Sequence, residues 1–297
     1  MAYEFTHGTG TPEDPYQVWT AADLNGVRDH LESHFIQMAD IDISETAWNV
    51  ITGIFAGVYD GDHFTIQGLH FDLPSGSSVG LFEQVGGNNT EPDTTGVKNV
   101  CFESVNVRAD TYLGAIAGLS MKATIQECSV QGTATGNGRV GGLVGENYGS
   151  IKRCSAHVTI VGEGSWPSNL GGVTGAQVSP GLLEDCYAIG SFDVNSQGGA
   201  IGGIAGQGQA GAIIKTSYAA MNVPDNAGED GYDRSGIVGS PGHGDGITLE
   251  NCYYNSDLVV VVDTPENPGA TPKTTAELKD QATFDGWDFE TTWAIDS

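Results

Sequence analysis

His30 and His34 stand four residues apart in a stretch where Leu24, Val27 and Leu31 recur at helical spacing. On one helix face that spacing can hold zinc. Glu32 is not at the position that would complete the peptidase form of the motif, so a solvated helix face is the preferred reading. Asp60-Gly61-Asp62-His63 offers clustered carboxylates to a hard cation. An Asp-Gly turn between strands explains the same residues, which leaves Asp60 and Asp62 as weak calcium candidates and structural calcium as the one ion the chain hints at. Lys152, Arg153, Glu184, Asp185 and Lys215 set bases near carboxylates, the combination that polysaccharide lyases on β-helices use. A glycoside hydrolase needs two carboxyls at a set separation, and 38 acids give no way to choose a pair. Nucleophile elbow, P-loop and dinucleotide fingerprint are absent. No catalytic or cofactor-binding residue is assigned.

The elements that would position these groups come from a repeat. Leu113-Gly114-Ala115-Ile116-Ala117-Gly118 recurs as Val140 to Gly145, Leu170 to Gly175 and Ile201 to Gly206, with a worn copy at Ser235 to Gly239 and an earlier relative at Val79 to Phe82. An apolar-x-x-Cys phrase follows each. Its last position reads Leu69, Val100, Cys128, Cys154, Cys186, Ser217, Cys252, with steps of 31, 28, 26, 32, 31 and 35 residues. Beyond that column the pattern alternates: Cys154, Ala156, Val158 and Ile160 against Ser155, His157 and Thr159. Period two means strand. A fixed period near thirty residues means stacked units. The expected fold is all-β, a single-stranded β-solenoid (β-helix) of about seven coils, with one Gly-phrase strand and one Cys-phrase strand per repeat.

Two positions before the column the chain reads Gln67, Lys98, Gln126, Lys152, Glu184, Lys215, Glu250. In-register stacking would set the last four beside one another with alternating sign, which favours that register. Disulfides or a metal site are one reading of the cysteine column. The column accepts Leu, Val and Ser and no Cys-x-x-Cys occurs, so a ladder of small buried side chains is preferred.

Net charge is −27, with 38 acids against 11 bases. That excludes nucleic acid as a partner, because phosphate binding needs clustered Lys and Arg. Six Lys beside 22 Asp fit a surface suited to high salt, where like-charge repulsion is screened. No apolar run reaches membrane-spanning length, and Met1-Ala2-Tyr3-Glu4-Phe5 has no secretion signal, so no membrane insertion is expected.

At the ends, Thr20 caps an expected helix at 20–33. A strand through Ile36, Met38, Ile41 and Ile43 follows. Thr274-Thr275-Ala276-Glu277 resembles a capping box, predicting a short helix to about Gln281, followed by the aromatic cluster Phe284, Trp287, Phe289 and Trp293. The helix and the aromatic segment are the expected covers of the two ends. The division is an N-terminal cap at 1–65, a solenoid at 66–262 and a C-terminal cap at 263–297. Tyr148, Trp166, Tyr187, Tyr218, Tyr232, Tyr253 and Tyr254 are candidate surface aromatics that stack on sugars or cover neighbouring coils. Asn88-Asn89-Thr90 is a lone glycosylation triplet, and the segments 83–96 and 222–235 are the expected contact sites.

Gly142-Leu143-Val144-Gly145, followed by the Ile-x-x-Cys phrase, resembles the GLUG repeat. The lead-in from Gly8 to Val18, the phrases Asp40 to Ile43 and Tyr59 to Ile66, and the close from Ala282 to Phe289 are similar too. The resemblance implies β-solenoid modules of microbial surface proteins, adhesins, viral proteins and the non-catalytic region of some immunoglobulin-cleaving metallopeptidases. Their His-Glu-x-x-His zinc motif lies in a separate domain, and no His-Glu pair occurs here. The expected function is a non-enzymatic β-solenoid on the surface of a virion from a saline habitat, as a tail, fibre or turret protein, or on the outside of a cell. A microbial adhesin module is the runner-up, and a polysaccharide lyase or glycoside hydrolase is the alternative of another class. Expected partners are virion or cell-surface proteins, a host glycan or protein, and further copies of the chain.

Overall fold

The computed structural model describes residues 1–87, 94–164, 169–194, 199–224, 234–240, 246–259 and 269–295. Each repeat makes four short strands where two were expected. One winding runs Arg139–Gly141, Val144–Asn147, Ser150–Lys152 and Ser155–Gly162. The next runs Asn169–Gly171, Thr174–Gln177, Leu182–Glu184 and Tyr187–Val194. Each strand pairs in parallel with its counterpart one winding on. Four sheets result, of 6, 7, 9 and 10 strands. The Gly phrase supplies the two smallest, here the arch sheets. The Cys phrase supplies the others, the charge sheet (Ser150–Lys152 and its counterparts) and the tyrosine sheet (Ser155–Gly162 and its counterparts).

The spacing inside the Gly phrase follows from backbone contact. A Cβ on Gly145 would lie 2.5 Å from the Leu113 backbone nitrogen, and one on Gly141 would lie 2.3 Å from the Val144 carbonyl oxygen. The arch sheets thus press together without side chains between them at these points, and only glycine fits. Between the two glycines the chain turns and sends Leu143 inward, fully buried like Ile116, Val173 and Ile204.

The Cys phrase bends at the residue before the column. Asn99, Glu127, Arg153, Asp185, Thr216 and Asn251 all take positive φ, between 44° and 55°, a region that costs a non-glycine residue about 1–2 kcal/mol. The bend points the amide at the next winding: Glu127 N donates to Lys152 O at 3.0 Å and Arg153 N to Glu184 O at 3.0 Å.

The column cysteines are free and do more than fill space. Cys154 Sγ accepts the Cys128 amide at 3.4 Å and donates to the Lys152 carbonyl at 3.2 Å. Cys186 repeats both contacts at 3.5 and 3.2 Å. Ser217 does the same with its hydroxyl, at 3.1 Å from Cys186 N and 2.8 Å from Lys215 O. A small side chain that serves both backbone groups suits these windings, which is why Ser can replace Cys at 217, while the earlier windings fill the position with Leu69 and Val100. Burial pushes the Cys128 and Cys186 thiols well up, and Cys252 up to about 12.

On the outside, Lys152, Glu184, Lys215 and Glu250 are successive register partners, the alternation that the sequence implies. Lys215 Nζ lies 2.7 Å from Glu184 Oε1.

The N-terminal helix is shorter than expected. It covers Ala21–Gly26 and tightens to a 3-10 turn at Val27–Asp29. Thr20 and Asp23 form a reciprocal capping box. His34 already lies in the strand His34–Gln37, and a separate strand covers Ile41–Asp42. The second capping box, Thr274 with Glu277, also forms. It opens 3-10 turns at Glu277–Lys279 and Gln281–Thr283 rather than an α-helix.

Candidate functional site

A concave site lies on the tyrosine sheet. Alternation turns Tyr187, Tyr218 and Tyr253 outward, and sheet register stacks them. The Tyr187 and Tyr218 rings lie 5.3 Å apart at 9°. The chain after the second capping box folds back onto this ladder. Trp293 sits 6.2 Å from Tyr187 and 6.1 Å from Tyr218, and Trp287 sits 5.8 Å from Tyr253. Trp287 Nε1 donates to Asn251 O at 2.9 Å, and Asp285 N donates to the Tyr253 hydroxyl at 2.9 Å. Phe284, Trp287 and Tyr253 form an apolar cluster separate from the solenoid core. The C-terminal aromatics therefore lie along the flank of the solenoid, a placement different from the expected end cover.

Between this segment and the sheet is a cleft of about 580 Å³, lined by Arg153, Ser155, His157, Asp185, Tyr187, Tyr218 and Trp293 among others. Of its charged groups Arg153 and Asp185 are engaged, and Lys279 also lines it. Arg153 Nη2 lies 2.6 Å from Glu127 Oε1, and that guanidinium holds the Glu127 carboxyl below its usual range. Asp185 accepts the Thr216 hydroxyl. His157 Nε2 is 3.2 Å from the Tyr187 hydroxyl. Burial raises the Tyr218 phenol to about 12, so that hydroxyl is neutral at any ordinary pH. Trp293 Nε1 is buried and has no hydrogen-bond partner among the described residues.

The other candidates separate. His30 and His34 do not share a helix face: His30 closes the 3-10 turn, with Nε2 2.6 Å from Tyr3 O. Asp60 is held by Lys98 Nζ at 2.9 Å, Asn99 Nδ2 at 2.9 Å and the Asp62 amide at 3.0 Å. Among the described residues no group of three or more His, Cys, Asp or Glu is placed to hold a metal ion. Lys152, Glu184 and Lys215 belong to the charge sheet, whereas Arg153 and Asp185 occupy the bend and reach the cleft. Trp166, Tyr232 and the Asn88-Asn89-Thr90 triplet lie outside the described residues, as do 88–93 and 225–233 of the two expected contact segments. The sequence reading missed Ser155 and His157 as lining residues. Their outward phase was visible, but nothing local told that residues 284–295 return to cover them.

The GLUG motif matches residues 136–161, the winding whose column residue is Cys154. The chain thus carries a GLUG motif. It is 35% identical over 157 residues to halomucin of Haloquadratum walsbyi, covering 46% of the chain and 2% of halomucin. It is 26% identical to a candidate Gly-rich membrane protein of Evansella cellulosilytica, covering 99% of the chain and 45% of that protein. The chain thus spans less than half the length of either. An immunoglobulin A1 protease of Streptococcus sanguinis is 29% identical over 182 residues, covering 58% of the chain and 9% of that protein. A crystal structure described as a candidate immunoglobulin A1 protease from Bacteroides ovatus superposes with a TM-score of 0.74 at 23% identity, covering 96% of this chain and 91% of that one.

These names suggest a surface protein. They also correct the expectation of a chain without enzymatic activity, because a relative and a structural neighbour carry the name of an enzyme family. The structural likeness shows the fold, and no reaction transfers with it. No helix among the described residues is long and apolar enough to cross a membrane.

Proposed function

We propose that this chain is a β-solenoid module of a larger microbial cell-surface protein, working as a stiff spacer that carries a ligand-contacting cleft on one flank. The observation that carries this reading is the cleft itself, placed where the tyrosine ladder meets the returning C-terminal segment. The rest of each winding is spent on backbone contact, the cysteine column and the charge ladder. Relatives named as halomucin and a Gly-rich membrane protein support the cell surface over the virion. The net charge of −27 suits a saline medium, where the Debye length falls to about 3 Å at 1 M. In this reading the chain divides near 65 and 262, about seven coils lie between, and the segment around Ala21–Gly26 closes one end of the stack. An antibody to the folded chain tests the proposal on intact source cells and on virus particles from the same culture. Labelling of unpermeabilised cells is expected. Labelling only of particles would replace the reading with a tail, fibre or turret role, and labelling only after permeabilisation would overturn both.

A further inference from the structure

We propose that the cleft holds a pyranose ring of a neutral glycan, seated on the Tyr187 face beneath Trp293. The inference rests on the surface reading above and names the ligand class of that same site. The tyrosine ladder stops at Tyr187. Its register partner in the preceding winding is Ser155, which has no ring to continue the stack; the His157 ring lies edge-on to Tyr187 at 5.5 Å, and the slot over Ser155 forms part of the cleft. Trp293 borders the slot with a buried indole N–H that has no partner among the described residues. Such a donor is costly to leave unmade, and a ligand hydroxyl would satisfy it. The volume of about 580 Å³ falls in the usual range for ligand sites, about 300–1,000 Å³.

Charge decides between ligand classes. Arg153 is paired with Glu127, and the remaining charged lining residues are one anion, Asp185, and one cation, Lys279, so the formal charges at the cleft cancel. The chain as a whole, at −27, repels anions. A pyranose offers a C–H face for the tyrosine and hydroxyls for Trp293 and His157, and needs no charge. Stacking and hydrogen bonding also survive molar salt, which would screen an ionic contact.

Ser155→Tyr continues the ladder and fills the slot without removing any side chain that packs the core. Tryptophan fluorescence and calorimetry on the full chain would be run with cellotetraose, chitotetraose, mannotetraose and a proline-rich peptide, in dilute buffer and in about 1 M salt. Saturable binding of at least one tetrasaccharide is expected, unchanged by salt, and weakened at least about tenfold by Ser155→Tyr while the melting temperature holds or rises. Binding of none of the sugars, binding that survives Ser155→Tyr, binding abolished by salt, or binding of the peptide alone would each overturn the glycan assignment. The antibody result on intact cells stands separately, so loss of the ligand class leaves the surface reading to its own test.

Discussion

The arch sheets and the tyrosine sheet are built from the same repeat yet obey opposite rules. In the arch, Gly141 and Gly145 bring backbones together, and no side chain larger than hydrogen fits. On the tyrosine sheet, the outward column changes from Ser129 and Ser155 to Tyr187, Tyr218 and Tyr253 along one register line. The first region fixes the shape of every winding, and the second is free to vary, so the cleft stands on the second. Shape and ligand contact are thereby separated onto different faces of one solenoid.

The contrast is broken most strongly at the arch. Gly145→Val forces a Cβ against the Leu113 backbone and should cost about 3 kcal/mol or more, read as loss of the folded state in a thermal melt. Ser155→Val on the tyrosine sheet should change stability by less than about 0.5 kcal/mol. Equal losses at the two sites would erase the distinction. The column tests the next level. Cys154→Ala leaves the Cys128 amide and the Lys152 carbonyl without their partner and should cost about 1–3 kcal/mol. Cys154→Ser should stay within about 1 kcal/mol of the parent, because Ser217 already fills this role two windings on. An alanine variant as stable as the serine variant would reduce the column to space-filling.

The charge sheet carries a smaller, pH-dependent term. Burial pushes the Asp60 carboxyl up, but bonds from Lys98, the Asp62 amide and Asn99 outweigh it and hold the carboxyl below the usual range. A depressed carboxyl contributes stability above its unfolded value of about 3.9. That contribution is lost as pH falls through the lower folded value. Asp60→Asn should therefore make the acid limb of the stability curve shallower, by about 1 kcal/mol at most for a partly exposed pair, and leave its slope above pH 6 unchanged. One further small effect has the opposite sign. Thr216 is β-branched at φ 44°. Thr216→Asn, better suited to that backbone and still carrying an amide donor for Asp185 in place of the Thr hydroxyl, should gain about 0.5 kcal/mol in chemical denaturation.

Much of this architecture was legible in the residues. Spacing gave the winding, period two gave the outward and inward faces, and the sign alternation of Lys152, Glu184, Lys215 and Glu250 gave the register. Local pattern could not show that the Gly phrase is two strands, because the turn at Leu143 is made by backbone proximity and not by a Pro or Asn signal. Nor could it show the bends at Glu127, Arg153 and Asp185, since residues that favour ordinary φ are held there by the amide bond to the next winding. The cleft was half visible. Tyr187 and Tyr218 were candidates, but the return of Trp287 and Trp293 is a tertiary event that propensity does not encode. The expected helix at 20–33 ended early because Leu31 packs toward Gly53 from a turn, where tertiary contact prevailed over helical spacing.

In-register stacking of the windings is tested most directly by engineered cross-links on the tyrosine sheet. Gln131 and His157 are exposed Cα partners on neighbouring windings. Gln131→Cys with His157→Cys meets the reach of a disulfide, whose Cα atoms lie about 4.4–6.8 Å apart. Gln131→Cys with Thr159→Cys is slipped by two residues. Mild oxidation should close the first pair, seen by intact mass as the loss of two hydrogens, and leave the second pair open. Equal closure of both pairs, or closure of the slipped pair alone, would contradict the register on which the cysteine column, the charge ladder and the cleft all depend.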